Sequence, residues 1–223
     1  MVGVSYKEGN MRLFSGLALS YLIGSFPTGY LLGRLLKGMD IRQYGSGNVG
    51  ATNVFRALGK GPGLVVLSVD ILKGFLAVAV LGAGLSLDGI IECVLLGIAV
   101  VCGHNWTIFL RFKGGKGIAT SLGVLIGLAL KFAALRPVLL LTLLMWVITF
   151  SLSHMVSLAS LVAAFALPCF MILTGQVIEM VSLGWIFCLF VFVRHWPNIK
   201  RLVRREEPQI HFSSRTSSKH ISS

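Results

Sequence analysis

Across 223 residues this chain is 55% hydrophobic and only 13% charged, with a mean hydropathy of +0.84. Soluble domains carry about 25% charged residues, so the composition excludes an ordinary soluble fold and points to one integral membrane domain. The formal net charge of +12 would signal nucleic acid in a soluble chain, but here it bears first on topology, because basic residues collect in cytoplasmic loops.

A helix needs roughly 20 apolar residues to cross a bilayer. Seven apolar segments can be drawn, at 13–36, 62–84, 88–110, 117–132, 136–152, 155–175 and 180–194. The fourth and fifth are short or crowded, so five or six spans are the lower counts. The expected fold is an all-α integral membrane bundle of about seven transmembrane helices. The first segment is too long for a signal-peptide core and lacks a small-residue cleavage site, so it reads as a retained span. Pro27 lies inside it and predicts a kink, since proline removes a backbone donor. Asp70 and Lys73, in the second segment, are three apart and can pair along one helix face, a structural intramembrane pair. Cys93, Cys102, Cys169 and Cys188 sit in apolar runs without metal-ligand spacing and read as buried thiols. Residues 1–208 form a single polytopic domain, and 209–223 read as a disordered basic, Ser-rich tail.

The connections sort by charge. Segments 37–60, 103–117 and 194–208 hold most of the lysines and arginines, whereas the tight links at 84–89 and 175–180 are bordered by Asp88, Glu92 and Glu179. Seven spans put the basic set on one side, which the charge rule makes cytoplasmic. The N-terminus is then outside and the C-terminus cytoplasmic. Lys131 and Arg136 fall on the opposite side and run against this scheme.

Three basic connections carry chemistry. The first is Gly45-Ser46-Gly47-Asn48-Val49-Gly50-Ala51-Thr52-Asn53-Val54-Phe55-Arg56, prefaced by Asp40-Ile41-Arg42. Closely spaced glycines let backbone N–H groups turn inward and form an anion-binding concavity. Ser46, Asn48, Thr52 and Asn53 add neutral donors, and Arg56 adds a charged fork suited to phosphate. The second runs from His104-Asn105-Trp106 to Arg111-Phe112-Lys113-Gly114-Gly115-Lys116-Gly117. If Gly117 opens a helix, its free N–H groups and positive end point toward whatever Lys113 and Lys116 hold. The spacing is not that of a P-loop, so nucleotide binding is unsupported. The third is Arg194-His195-Trp196-Pro197-Asn198-Ile199-Lys200-Arg201. His195 titrates near neutrality in its ordinary state and can exchange a proton. Pro197 disfavours helix at Trp196, so His195 and Asn198 need not share a face. Each block also has a plainer reading: a tight turn, lysines anchoring a helix end, and a basic stop-transfer cap.

Three cationic loops on one side of a bundle able to hold an acyl chain suit an enzyme acting on an amphiphile with a phosphate head. No His-x4-Asp arrangement, no Ser-His-Asp logic and no metal cluster is readable, and no cofactor is implied. Two other readings stay open here. A carrier of organic phosphates would use the same cationic loops, and a lipid-binding scaffold would use them on anionic headgroups.

With these residues assembled, the chain resembles the PlsY family of bacterial membrane glycerol-3-phosphate acyltransferases. The likeness runs from Gly24 to about Glu207. It includes Gly24-Ser25-Phe26-Pro27, Asp40-Ile41-Arg42, the Gly45-to-Arg56 loop, Asp70 through Gly74, the His104-to-Thr120 block and the Arg194-to-Leu202 block. The resemblance implies a multi-pass protein of the bacterial inner membrane with its active site facing the cytoplasm. Its substrates would be acyl phosphate and glycerol 3-phosphate, with a soluble phosphate acyltransferase making the donor. Membrane lipid is the other partner, and nucleic acid is not. Ser46, Lys113, His195 and Asn198 become the candidate catalytic residues. Arg42, Asn48, Thr52, Asn53, Arg56, His104, Lys116 and Arg194 become candidate substrate-binding residues. One departure concerns the third block. The family carries a glycine where Arg205 stands, which leaves the placement of Glu206 and Glu207 open.

Overall fold

The computed structural model describes residues 2–210, and it is all-helical over that range. The proposed tail at 209–223 lies, beyond Ile210, outside the described residues. The first apolar segment is two helices, α1 (Val2–Ser25) and α2 (Thr28–Lys37), parted at Phe26 and Pro27 as the proline predicts. Helix α2 ends at Gly38, whose φ of +63° suits a residue without Cβ. There the Gly38 N–H donates to the Arg34 carbonyl at 3.0 Å and the Met39 N–H to that of Gly33 at 3.2 Å.

A short amphipathic helix, α3 (Ala51–Leu58), precedes α4 (Lys60–Gly84), which is continuous through a π-helical stretch at Leu76–Leu81. Then come α5 (Ile90–Asn105), α6 (Ile118–Lys131), α7 (Arg136–Ser153), α8 (Val156–Leu173) and α9 (Ile178–Arg194). The last described helix, α10 (Trp196–Val203), turns off α9 by 65°. Pro197 sits in its first turn, where the missing N–H has no intrahelical partner to lose. Among the described residues four helical stretches are long and apolar enough to cross a membrane: 60–84, 90–110, 133–153 and 156–173. The bent pair α9–α10 makes a fifth.

The core gathers Val78, Val100, Val124, Leu128, Met171 and Leu183, all closed to solvent or nearly so. Lipid tails are as apolar as leucine, so association between spans rests on close packing and polar contacts. Two pairs of helices meet backbone to backbone. A Cβ on Gly24 of α1 would strike the Val100 carbonyl of α5, and one on Gly103 would strike that of Tyr21. Likewise a Cβ on Gly74 of α4 would strike the Thr120 carbonyl of α6, and one on Gly123 that of Ile71. In contrast, α7 turns Leu140, Leu144, Val147 and Leu152 outward, as a face solvated by acyl chains must.

The packing sorts the helix ends. Gly97 of α5 lies against Val124 of α6, and Gly117 against Val101 and Asn105, so these two helices run antiparallel. The basic connections therefore share the end where α5 finishes and α6 starts. At the opposite end Lys131, at the close of α6, is 2.5 Å from Asp88, and Arg136 Nε donates to the Ala129 carbonyl at 3.3 Å. Lys131 is thus ion-paired there, but it and Arg136 still count as basic residues on the side opposite the three loops.

Candidate active site

The first loop is built around Asn53, a side chain 2% exposed on α3. The Ser46 N–H donates to Asn53 Oδ1 at 2.8 Å, and Asn53 Nδ2 donates to the carbonyls of Ile41 and Tyr44 at 3.1 and 3.0 Å. One amide thus pins both arms of the loop. Gly45 and Gly47 have φ of +58° and +70°, a left-handed backbone that side chains resist. Asn48 Oδ1 accepts from the Gly50 N–H at 2.8 Å, and its Nδ2 lies 3.5 Å from the Gly114 carbonyl oxygen. Ser46 is exposed and Thr52 half-buried at the start of α3. Arg42 is committed to Asp40: Nε donates at 2.9 Å to Oδ1, and the terminal nitrogen at 2.6 Å to Oδ2. That hydrogen-bonded guanidinium lowers the Asp40 carboxyl to about 2. A cavity of about 340 Å³ opens beside this loop, lined by Lys37, Met39, Tyr44, Gly45, Arg56 and Ala57.

The second loop ends at Gly117, which has φ of +82° and opens α6. The positive end of α6 thus faces the Lys113–Lys116 segment, as the sequence predicts. Lys113 is exposed. Lys116 instead turns inward and donates to Asn198 Oδ1 at 2.6 Å. Burial lowers Lys116 to about 8; Glu207 opposes this, while Arg201, Arg56 and Arg194 push the same way as burial. Gly114 and Gly115 are buried, and their carbonyls accept from Arg194, at 2.7 Å from a terminal nitrogen and 2.9 Å from Nε. The Gly115 N–H donates back to the His104 carbonyl at 2.9 Å. His104 is itself buried, with Nδ1 3.7 Å from Asp70. The Asp70–Lys73 pair expected from spacing is present at 2.7 Å.

The third block folds under the second. His195 is 2% exposed at the junction of α9 and α10, and its Nδ1 stands 2.9 Å from the Val191 carbonyl. That contact makes Nδ1 the donor in the neutral ring and leaves the lone pair on Nε2. Asn198, also buried, bridges two charges. Its Oδ1 accepts from Lys116, and its Nδ2 donates to Glu207 Oε1 at 2.7 Å. Arg201 Nε donates to Glu207 Oε2 at 2.7 Å. Burial pushes the Glu207 carboxyl up, but hydrogen bonds from Arg201 and Asn198 outweigh it and hold the group below its ordinary value. Arg56 closes the ring, a terminal nitrogen donating to the Pro208 carbonyl at 3.3 Å.

Lys116, Asn198, Arg194 and Arg56 therefore meet at one end of the bundle, with the Ser46 loop alongside through Asn48. Lys113 stands outside this ring, and Arg42 is held by Asp40. Glu207 is the residue that sequence reasoning left unplaced, whereas its neighbour Glu206 is exposed. The local signal was the departure at Arg205, which has φ of +58°. A non-glycine residue in that region is strained by about 1–2 kcal/mol. Arg205→Gly is expected to stabilise the detergent-solubilised protein by about 1 kcal/mol. Equilibrium unfolding measures it, and a destabilised variant would contradict the strain.

The profile of the glycerol-3-phosphate acyltransferase family matches residues 14–205. A glycerol-3-phosphate acyltransferase of Synechococcus sp. strain CC9902 is 47% identical over 87% of this chain and 93% of its own. One from Desulforudis audaxviator is 46% identical over 88% and 94%. The crystal structure of PlsY (YgiH), an integral membrane glycerol 3-phosphate acyltransferase in its glycerol 3-phosphate form, superposes with a TM-score of 0.80. It has 36% identity over 89% of this chain and 96% of that one. Its lysophosphatidic acid form gives 0.77 and 35%. With the family profile spanning nearly all the described helices, this chain belongs to the PlsY family of membrane glycerol-3-phosphate acyltransferases.

Proposed function

We propose that this enzyme transfers a fatty acyl group from acyl phosphate to the 1-hydroxyl of sn-glycerol 3-phosphate. The products are lysophosphatidic acid and inorganic phosphate, and the step is the first acylation of phospholipid biosynthesis. The observation that carries the reading is the convergence of Lys116, Arg194 and Arg56 on the ring closed by Asn198, beside a donor-rich glycine loop. Two phosphates have to be held close together in this reaction, and two groups of donors stand there.

Acyl phosphate is a mixed anhydride with a stable leaving group, so the demand for a strong base is modest. Positioning and charge neutralisation can supply most of the catalysis. In this reading Ser46, Asn48, Thr52 and Arg56 bind and orient one phosphate, in a loop that Asn53 shapes and that Arg42 braces through Asp40. Lys116 holds the second phosphate and offsets charge on the tetrahedral intermediate, with the exposed Lys113 assisting from outside the ring and Arg194 fixing the turn between the two lysines. His195 and Asn198 orient the glycerol hydroxyl. Its oxygen bonds to the acyl carbon, the bond from that carbon to the phosphate oxygen breaks, and the proton passes to His195 Nε2 or to the donor phosphate.

We read the bundle as seven spans, α1 with α2, α4, α5, α6, α7, α8 and α9, in the bacterial inner membrane. The N-terminus is outside, and the site and C-terminus face the cytoplasm. The excess of lysines and arginines in the three loops at one end supports this orientation, against Lys131 and Arg136 at the other. The 14 residues of α6 rise only about 21 Å. A span that short is accommodated by local bilayer thinning and by flanking side chains. The donor would come from a soluble phosphate acyltransferase.

Purified protein is expected to release phosphate from palmitoyl phosphate when glycerol 3-phosphate is present and not otherwise. Release that ignores the acceptor, or acylation that requires a thioester donor, would refute the donor assignment.

A further inference from the structure

One buried charged cluster lies beneath the loops, joined to the second of them by His104. Lys73 Nζ donates to Asp70 Oδ1 at 2.7 Å and to the Phe26 carbonyl at 2.6 Å, and His104 Nδ1 is 3.7 Å from the same carboxylate oxygen. The three side chains are no more than 8% exposed. A buried ion pair is weak evidence for stability, because desolvation offsets the attraction and apolar replacements of similar volume are often neutral or better. Its location is more informative than its charge.

Phe26 belongs to the break between α1 and α2. Beside it, Gly29 lies so close to the first loop that a Cβ there would strike the Val49 carbonyl. Asp70, Lys73 and His104 share a small cavity with Gly29 and Val49. On the other side, the His104 carbonyl accepts from the Gly115 N–H, and a Cβ on Gly115 would run into His104 Nε2. Gly114 and Gly115 in turn hold Arg194. A continuous line of contact thus runs from the broken first span through Lys73, Asp70 and His104 to the Gly114–Gly115 turn. Its two ends lie at the two loops that carry the phosphate donors.

We propose that Asp70, Lys73 and His104 are positioning residues: wedged between the first loop and the Gly114–Gly115 turn, they set the spacing of the two phosphate-holding loops and through it the affinity for glycerol 3-phosphate. The inference rests on the proposed reading of those loops as phosphate holders. It does not depend on which acyl donor is used.

The test is the double variant Asp70→Leu with Lys73→Met, which removes both charges at similar volume, purified in detergent beside the parent. Cooperative melting at the parental temperature is expected, with glycerol 3-phosphate bound at least about tenfold more weakly by calorimetry. Misplacements of about 1 Å are known to cost up to about 100-fold. Parental affinity at parental melting temperature would overturn the proposal by showing a purely structural pair. Loss of cooperative melting would also overturn it, by making the pair a folding element. Phosphate release from palmitoyl phosphate by the parent, measured in parallel, tests the donor separately: its absence would refute acyl phosphate and leave the affinity comparison standing.

Discussion

Replacing Lys116 by alanine is expected to lower kcat/KM for glycerol 3-phosphate by about 100- to 1000-fold, the range seen when one preorganised donor to a developing anion is lost. Lys116 is the charged group that reaches into the ring, bonded to Asn198 at 2.6 Å, whereas Lys113 is exposed. Lys113→Ala should therefore cost far less. The sign of the pH dependence follows from burial. An amine lowered to about 8 is charged below that pH and neutral above it. The parent's kcat/KM should accordingly decline as pH rises through 8, approaching a tenfold loss per pH unit. Lys116→Arg retains its charge throughout that range, so its profile should lack the alkaline limb whatever its absolute rate. A limb that persists in Lys116→Arg would assign the titration elsewhere.

Asn53→Asp is expected to be nearly as damaging as Asn53→Ala, although it changes the size of the side chain hardly at all. The native amide accepts from the Ser46 N–H with its oxygen and donates to two carbonyls, those of Ile41 and Tyr44, with its nitrogen. A carboxylate would turn a second oxygen toward both carbonyl oxygens and lose two hydrogen bonds while adding repulsion. Unmet buried groups cost about 1–3 kcal/mol each. The loop from Tyr44 to Gly50 should loosen before the bundle does. Faster amide hydrogen exchange confined to that loop is the expected signature, with a drop in turnover of about 100-fold when the donors lose their geometry. Parental activity in Asn53→Asp would show that the loop holds its shape by other means.

Much of this architecture was legible in the residues themselves. Pro27 marked the break in the first span, Gly117 the start of α6, and the spacing of Asp70 and Lys73 their pairing. The clustering of basic loops followed from charge counting. What escaped was which donors the scaffold itself occupies. Nothing in the sequence reveals that Asn53 spends all its hydrogen bonds on the loop, or that Arg42 is occupied by Asp40. Glu207 escaped because it follows the end of α10, where helical periodicity no longer says which way a side chain points. Its burial depends on the chain reversing after Arg204, at a residue whose type disfavours the required backbone angle. Helix α6 strained the span count because its 14 residues fall short of the length a span ordinarily needs.

The glycine contacts that bring α1 onto α5, and α4 onto α6, leave no side-chain cushion between the main chains. Such pairs resist sliding, for any shear would drive carbonyl oxygens into neighbouring α-carbons. Each pair therefore behaves as a stiff plate.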